Sequence, residues 1–160
     1  MNVLELPEEK KINADVDLPI AVCFVCSGNT CRSPMAAAVL NHLGKGEYKA
    51  ASAGLCATTG EPISENAIKA LSDSGIESTS ENPYKSHRAI QTNEEYLERF
   101  DKIVAISKNH AFNLICSYPA LAGKISVMPK DIPDPFMQGQ AVYQNCLKEI
   151  TECIKELFAL

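Results

Sequence analysis

The stretch VCFVCSGNTCRSPMA, residues 22–36, decides how the rest of the chain is read. Its front half belongs to a continuous apolar run, Ile20-Ala21-Val22-Cys23-Phe24-Val25, the pattern of a strand covered on both faces in a parallel sheet. Its back half predicts a helix start: Ser33 is a good cap, Pro34 suits the first helical position, and Met35, Val39, Leu40 and Leu43 recur at helical spacing until Gly44. A loop that joins a parallel strand to a helix N-terminus aims its unpaired amides at one spot. The helix dipole adds partial positive charge there, so the loop forms an anion site.

The residue types give that site a chemistry. Gly28 and Asn29 most readily accept the positive φ needed to turn amides inward. Arg32 offers a planar fork to two oxygens of a tetrahedral dianion. Ser27, Gly28, Asn29, Thr30, Cys31, Arg32 and Ser33 are therefore the expected phosphate cradle. Cys26, at its foot, meets the same amides, dipole and guanidinium, all of which favour a nucleophilic thiolate. A phosphate ester also needs its leaving oxygen protonated. Asp134 is the candidate acid, on a loop stiffened by Pro133 and Pro135, whereas Asp131 fits a solvated loop position.

With these residues in place, CSGNTCRS resembles the active-site loop, CxxxxxR followed by Ser, of the low-molecular-weight protein tyrosine phosphatases. Ser52-Ala53-Gly54, His87 and Asp134-Pro135-Phe136 resemble further landmarks of that family in family order, over roughly residues 20 to 158. The resemblance implies that Asp134 protonates the leaving group and then activates the water that hydrolyses a cysteinyl phosphate. It implies that Asn29, Ser52 and His87 form a network holding the loop, with Ser33 stabilising the departing thiolate. It also implies that Cys31 protects Cys26 by a reversible disulfide, the plain alternative being a small wall residue. The chain departs from the family at Ile90, where a basic residue is usual, and in carrying residues 1–19 ahead of the first strand.

The expected activity is hydrolysis of phosphotyrosine in a phosphorylated protein, releasing inorganic phosphate, with no metal and no cofactor. The alternative is a protein arginine phosphatase. Thr30 stands where an Ile is frequent in the family, and CxGNTCRSPMA with Asp-Pro-Phe is similar to the bacterial branch that includes those enzymes. Thr30 and Phe136 are thus the expected selectivity residues, and Met137 replaces a second aromatic. An arsenate reductase would need two more cysteines on a mobile segment; residues 57–115 hold none, and Cys146 and Cys153 share one face of the final helix, as core residues would. A phosphate-binding module or a phosphocarrier would need neither Arg32 nor Asp134.

Composition agrees with this class. A chain of 160 residues suits one domain, taken as 20–160 behind an extension of unassigned role. The net charge of -5 disfavours nucleic-acid and acidic-membrane partners. Glu8, Glu9 and Asp15 stand where a signal peptide needs an apolar core, so a cytoplasmic protein is expected. Seven cysteines, an odd number without scaffold spacing, point to free thiols in a reducing compartment. Cys23 and Cys26 form a CxxC, but i and i+3 of a strand face opposite ways, so Cys23 reads as core.

Further strands are expected over Tyr48–Leu55, Lys102–Ile106 and Ile125–Met128. Helices are expected after Ser64, after Thr92 in a capping box with Glu95, after Ser107 with Phe112, Leu114 and Ile115, and from about Gln140. The last would bury Tyr143, Cys146, Leu147, Ile150, Ile154 and Leu157. Residues 77–92 read as irregular, and His42 and His110 fall in predicted helices without an assigned role. Strands alternating with helices imply one α/β domain of three layers around a four-stranded, parallel, doubly wound sheet, with its site at the carboxyl end of the first strand.

Overall fold

The apolar run of residues 20–25 becomes strand β1 (Ile20–Cys26), and the other strands assemble on it in a computed structural model that describes residues 18–160. β2 (Tyr48–Gly54) and β3 (Lys102–Ala105) pair with β1 on either side, and β4 (Ile125–Val127) continues beyond β3. All three pairings are parallel, and the strand order is β2-β1-β3-β4. The expected four-stranded α/β architecture is therefore present.

The period of two along β1 sorts the helices into layers. Val22, Phe24 and Cys26 face a core shared with α1 (Arg32–Leu43), α2 (Glu65–Asp73) and α5 (Gln140–Phe158). Cys23 and Val25 face the opposite core, which includes Leu97 of α3 (Glu94–Leu97) and Leu114 of α4 (Lys108–Ser117). The two cysteines of the CxxC thus lie on opposite sides of the sheet. On α5, Tyr143, Cys146, Leu147, Ile150 and Ile154 are buried as expected, while Leu157 is half-buried. Phe158 closes that core edge-on against Phe24 and Tyr48.

Several local expectations are corrected. α1 begins at Arg32, with Cys31 in the capping position and no side-chain cap, so Ser33 is inside the helix and Pro34 is not its first residue. Tertiary demand is the reason, because the Ser33 hydroxyl is spent on the loop rather than on the helix end. Ser64 does precede α2, but its hydroxyl donates to Tyr143 Oη at 3.2 Å instead of capping. Asn93, not Thr92, caps α3 by accepting from the Tyr96 amide at 2.8 Å, and the helix is a single turn that ends before Phe100. Thr92 is buried and donates its amide to the Gly54 carbonyl at 2.9 Å. Ser107 caps α4 as expected, yet that helix buries His110 and Leu114 and leaves Phe112 and Ile115 exposed.

β2, β3 and β4 each stop one residue earlier than the sequence suggests. Their ladders run on into the site loops, with Leu55 donating to Cys26, Ile106 to Val25 and Met128 to Ala105. Residues 77–92 are irregular apart from a short 3-10 turn over Tyr84–Ser86 and isolated bridges, including Pro62 to Arg88. The extension falls almost wholly on residues 1–17, outside the described residues. Among the described residues no helix is long and apolar enough to cross a membrane.

β2 approaches the loop after β1 at Gly54, where an added Cβ would lie 2.5 Å from the Ser27 carbonyl oxygen and 3.0 Å from Asn29 Cβ. Neither neighbour is the free end of a flexible side chain. Gly54→Ala is expected to cost about 1–3 kcal/mol of stability by overpacking, read as a lower urea midpoint with the slope unchanged.

Candidate active site

The loop expected to bind an anion is built around Asn29, which is fully buried and has φ of 60°. Asn is among the few types that enter this left-handed region at tolerable cost. Its amide nitrogen donates to Ser33 Oγ at 2.8 Å and to Ser52 Oγ at 2.9 Å, and its side-chain oxygen accepts from the Ile90 amide at 2.9 Å. Its carbonyl accepts from His87 Nε2 at 2.7 Å. The four residues grouped in sequence, Asn29, Ser33, Ser52 and His87, are therefore in direct contact. Ile90 contributes its main chain, so the missing basic side chain does not touch this network.

Cys26 ends β1 beneath the loop, its sulfur 2.9 Å from Ser33 Oγ. The floor of a cleft of about 150 Å³ is formed by Cys26 and residues 28–32, and its rim by Glu61, Asp134 and Phe136. Arg32 is buried, with Nη1 donating to the Ile132 carbonyl at 3.2 Å and Nη2 standing 3.5 Å from Asp134 Oδ2. The other carboxylate oxygen of Asp134 accepts from the Phe136 amide at 3.0 Å. Asp131 lies apart, accepting from the Lys108 amide at the start of α4. Cys26, Arg32, Asp134, Thr30, Cys31 and Phe136 thus share one cleft, whereas Ser52 and His87 stand behind the loop.

Sequence reasoning missed three residues here. The Ser27 hydroxyl turns away from the cleft to His110 Nε2 at 2.9 Å, and His110 Nδ1 meets Ser107 Oγ at 2.9 Å. The only local signal for His110 was its place three residues after the cap of α4. Tyr143, read as core, also brings its hydroxyl within 3.2 Å of Cys31 Sγ. Glu61 carried no signal at all, since its place on the rim depends on long-range pairing.

Burial governs the ionisation of the supporting groups. It pushes His110 down to about 4, with the Arg32 charge adding to the effect and Asp134 and Asp131 opposing it. It also lowers His87, against the hydrogen bond to Asn29. Burial raises the thiols of Cys23 and Cys31 and takes Cys146 to about 12. All seven cysteines are free. Among the described residues no three His, Cys, Asp or Glu side chains converge as metal ligands.

Residues 21–160 match the family model described as low molecular weight phosphotyrosine protein phosphatase. The chain belongs to that family. Among relatives of this phosphatase family, a protein-arginine-phosphatase of Geobacillus stearothermophilus is 31% identical over 147 residues, covering 88% of this chain and 95% of the relative. A low molecular weight protein-tyrosine-phosphatase of Streptomyces coelicolor is 31% identical, covering 86% and 91%. The crystal structure of a low molecular weight protein tyrosine phosphatase from T. tengcongensis superimposes with a TM-score of 0.79 at 33% identity, covering 88% of this chain and 98% of that one.

The depressed histidines make stability depend on pH. An unfolded histidine takes up a proton near 6.5, whereas folded His110 resists until about 4, so the native state loses ground as pH falls between these values. The unfolding free energy is expected to decline over that window by at most about 1.4 kcal/mol per pH unit for each linked proton. His110→Gln should flatten the slope in urea titrations run at successive pH values.

Proposed function

We propose that this phosphatase-family chain hydrolyses phosphotyrosine in proteins through a cysteinyl-phosphate intermediate. The observation that carries the reading is the convergence of one thiol, one buried guanidinium and one carboxyl on a single cleft. In the first step Cys26 Sγ forms a bond to phosphorus, the bond from phosphorus to the leaving oxygen breaks, and Asp134 gives that oxygen its proton. In the second, Asp134 takes a proton from water, whose oxygen bonds to phosphorus as the sulfur departs. Ser33 Oγ, 2.9 Å from the sulfur, donates to the thiolate as it is released. The amides of residues 27–32 and Arg32 hold the equatorial oxygens, where charge accumulates.

The Arg32–Asp134 contact fits this cycle. A bound dianion competes with Asp134 for the guanidinium, which releases the carboxyl toward the leaving oxygen. Cys31 lines the same cleft as Cys26, the placement that a resolving role toward oxidised Cys26 requires. Free thiols throughout accord with work in a reducing cytoplasm. The arsenate-reductase alternative is disfavoured because Cys146 and Cys153 are buried on α5 among core side chains rather than carried on a separate relay segment.

A second reading, phosphoarginine as substrate, is favoured by Thr30 in the cleft and by a relative named as a protein-arginine-phosphatase. A hydroxyl can accept a guanidinium N–H where an Ile would only crowd it.

Hydrolysis of p-nitrophenyl phosphate is expected to vanish in Cys26→Ser, and Asp134→Ala should slow an unactivated phosphotyrosine peptide by about 10²- to 10⁴-fold in kcat. Full activity in Cys26→Ser would refute the covalent route. Thr30→Ile should raise the ratio of phosphotyrosine to phosphoarginine turnover, and an unchanged ratio would remove Thr30 from substrate selection.

A further inference from the structure

We infer that Glu61 is a specificity-determining residue, which raises turnover of phosphoarginine relative to phosphotyrosine by pairing with the cation that only phosphoarginine carries. The inference rests on the phosphatase reading above and assigns a part of the cleft that the reading leaves unexplained. The cleft is lined by one cation, Arg32, and two carboxylates, Asp134 and Glu61. Asp134 has work in proton transfer, and its oxygens are engaged by Arg32 and the Phe136 amide. Glu61 has neither a hydrogen bond nor an ion pair through its side chain among the described residues.

A free carboxylate at the mouth of a dianion site is a penalty unless the substrate brings a compensating charge. Phosphotyrosine brings none, because its neutral ring follows directly after the phosphate. In phosphoarginine the bridging nitrogen is itself part of a guanidinium, so a delocalised positive charge follows the phosphate directly. The same cation meets the Thr30 hydroxyl, which lines the cleft beside the thiol. When the P–N bond breaks, the proton from Asp134 goes to the guanidine nitrogen, so the departing arginine is still cationic and the pairing lasts through the transition state.

The backbone of Glu61 is set rigidly for this. Its amide donates to the Thr58 carbonyl at 3.1 Å and its carbonyl accepts from the Ala89 amide at 2.8 Å, while Gly60 donates to the Ala89 carbonyl at 2.9 Å. The segment that receives these bonds also supplies His87 and Ile90 to Asn29. The phosphate loop and Glu61 therefore hang on the same strip of chain, and their spacing is fixed.

The test compares kcat/KM for a phosphoarginine and a phosphotyrosine peptide of the same flanking sequence. Because Glu61 is exposed and its charge is screened, Glu61→Gln is expected to lower phosphoarginine turnover by about three- to tenfold. Phosphotyrosine turnover should stay level or rise, and Glu61→Lys should shift the ratio further in the same direction. A ratio unchanged by either variant, or a wild-type protein that hydrolyses phosphotyrosine but no phosphoarginine, overturns the inference while leaving the phosphatase reading intact. A wild-type protein inactive on both peptides and on p-nitrophenyl phosphate would instead bring down the phosphatase reading itself.

Discussion

The site depends on one buried residue held in an unfavourable backbone state. Asn29 sits at positive φ with its side chain wholly enclosed, and its carboxamide and carbonyl are met from three different parts of the fold. Ser33 comes from α1, Ser52 from β2, and His87 with Ile90 from the irregular segment that follows α2. The cost of the left-handed state, on the order of 1–3 kcal/mol, is offset because any relaxation would leave buried donors and acceptors unmet. The loop is thus shaped before a ligand arrives, which is what electrostatic catalysis requires of its dipoles. The placement of β2 against β1 is transmitted to the same point, through Ser52 and through the close passage of Gly54 beneath Ser27.

A second constraint joins segments a hundred positions apart in the chain. Arg32 opens α1, yet its guanidinium reaches the Ile132 carbonyl and the Asp134 carboxylate on the loop after β4. The loop after β1 and the loop after β4 are therefore tied by one guanidinium. The tie to Ile132 is to main chain, so it does not depend on the side chain at that position. Proline on both sides of Asp134 limits what remains of its freedom.

Much of this was legible in the sequence, and the pattern of what was not has a physical cause. β1, the loop and α1 were readable because strand periodicity, turn chemistry and helix periodicity each act within a few residues, and the period of two alone separated Cys23 from Cys26. Helix caps were misassigned at Ser33 and Thr92 for the opposite reason. A hydroxyl that could cap its own helix was drawn to a tertiary partner, and Asn93, one place along, offered a free carboxamide instead. His110 and Glu61 were invisible because their partners are remote. Ser27 is 83 positions from His110, and Ala89 holds Glu61 through main-chain atoms that carry no residue signature.

The two histidines behind the loop show how the scaffold is kept apart from the chemistry. An imidazolium beside a phosphate would add attraction, but burial disfavours the charged form of both rings and leaves them as struts. His87 must carry its proton on Nε2, since the carbonyl it meets can only accept. His110 stands between two hydroxyls, which can donate or accept, so either of its tautomers maintains the contact with Ser27.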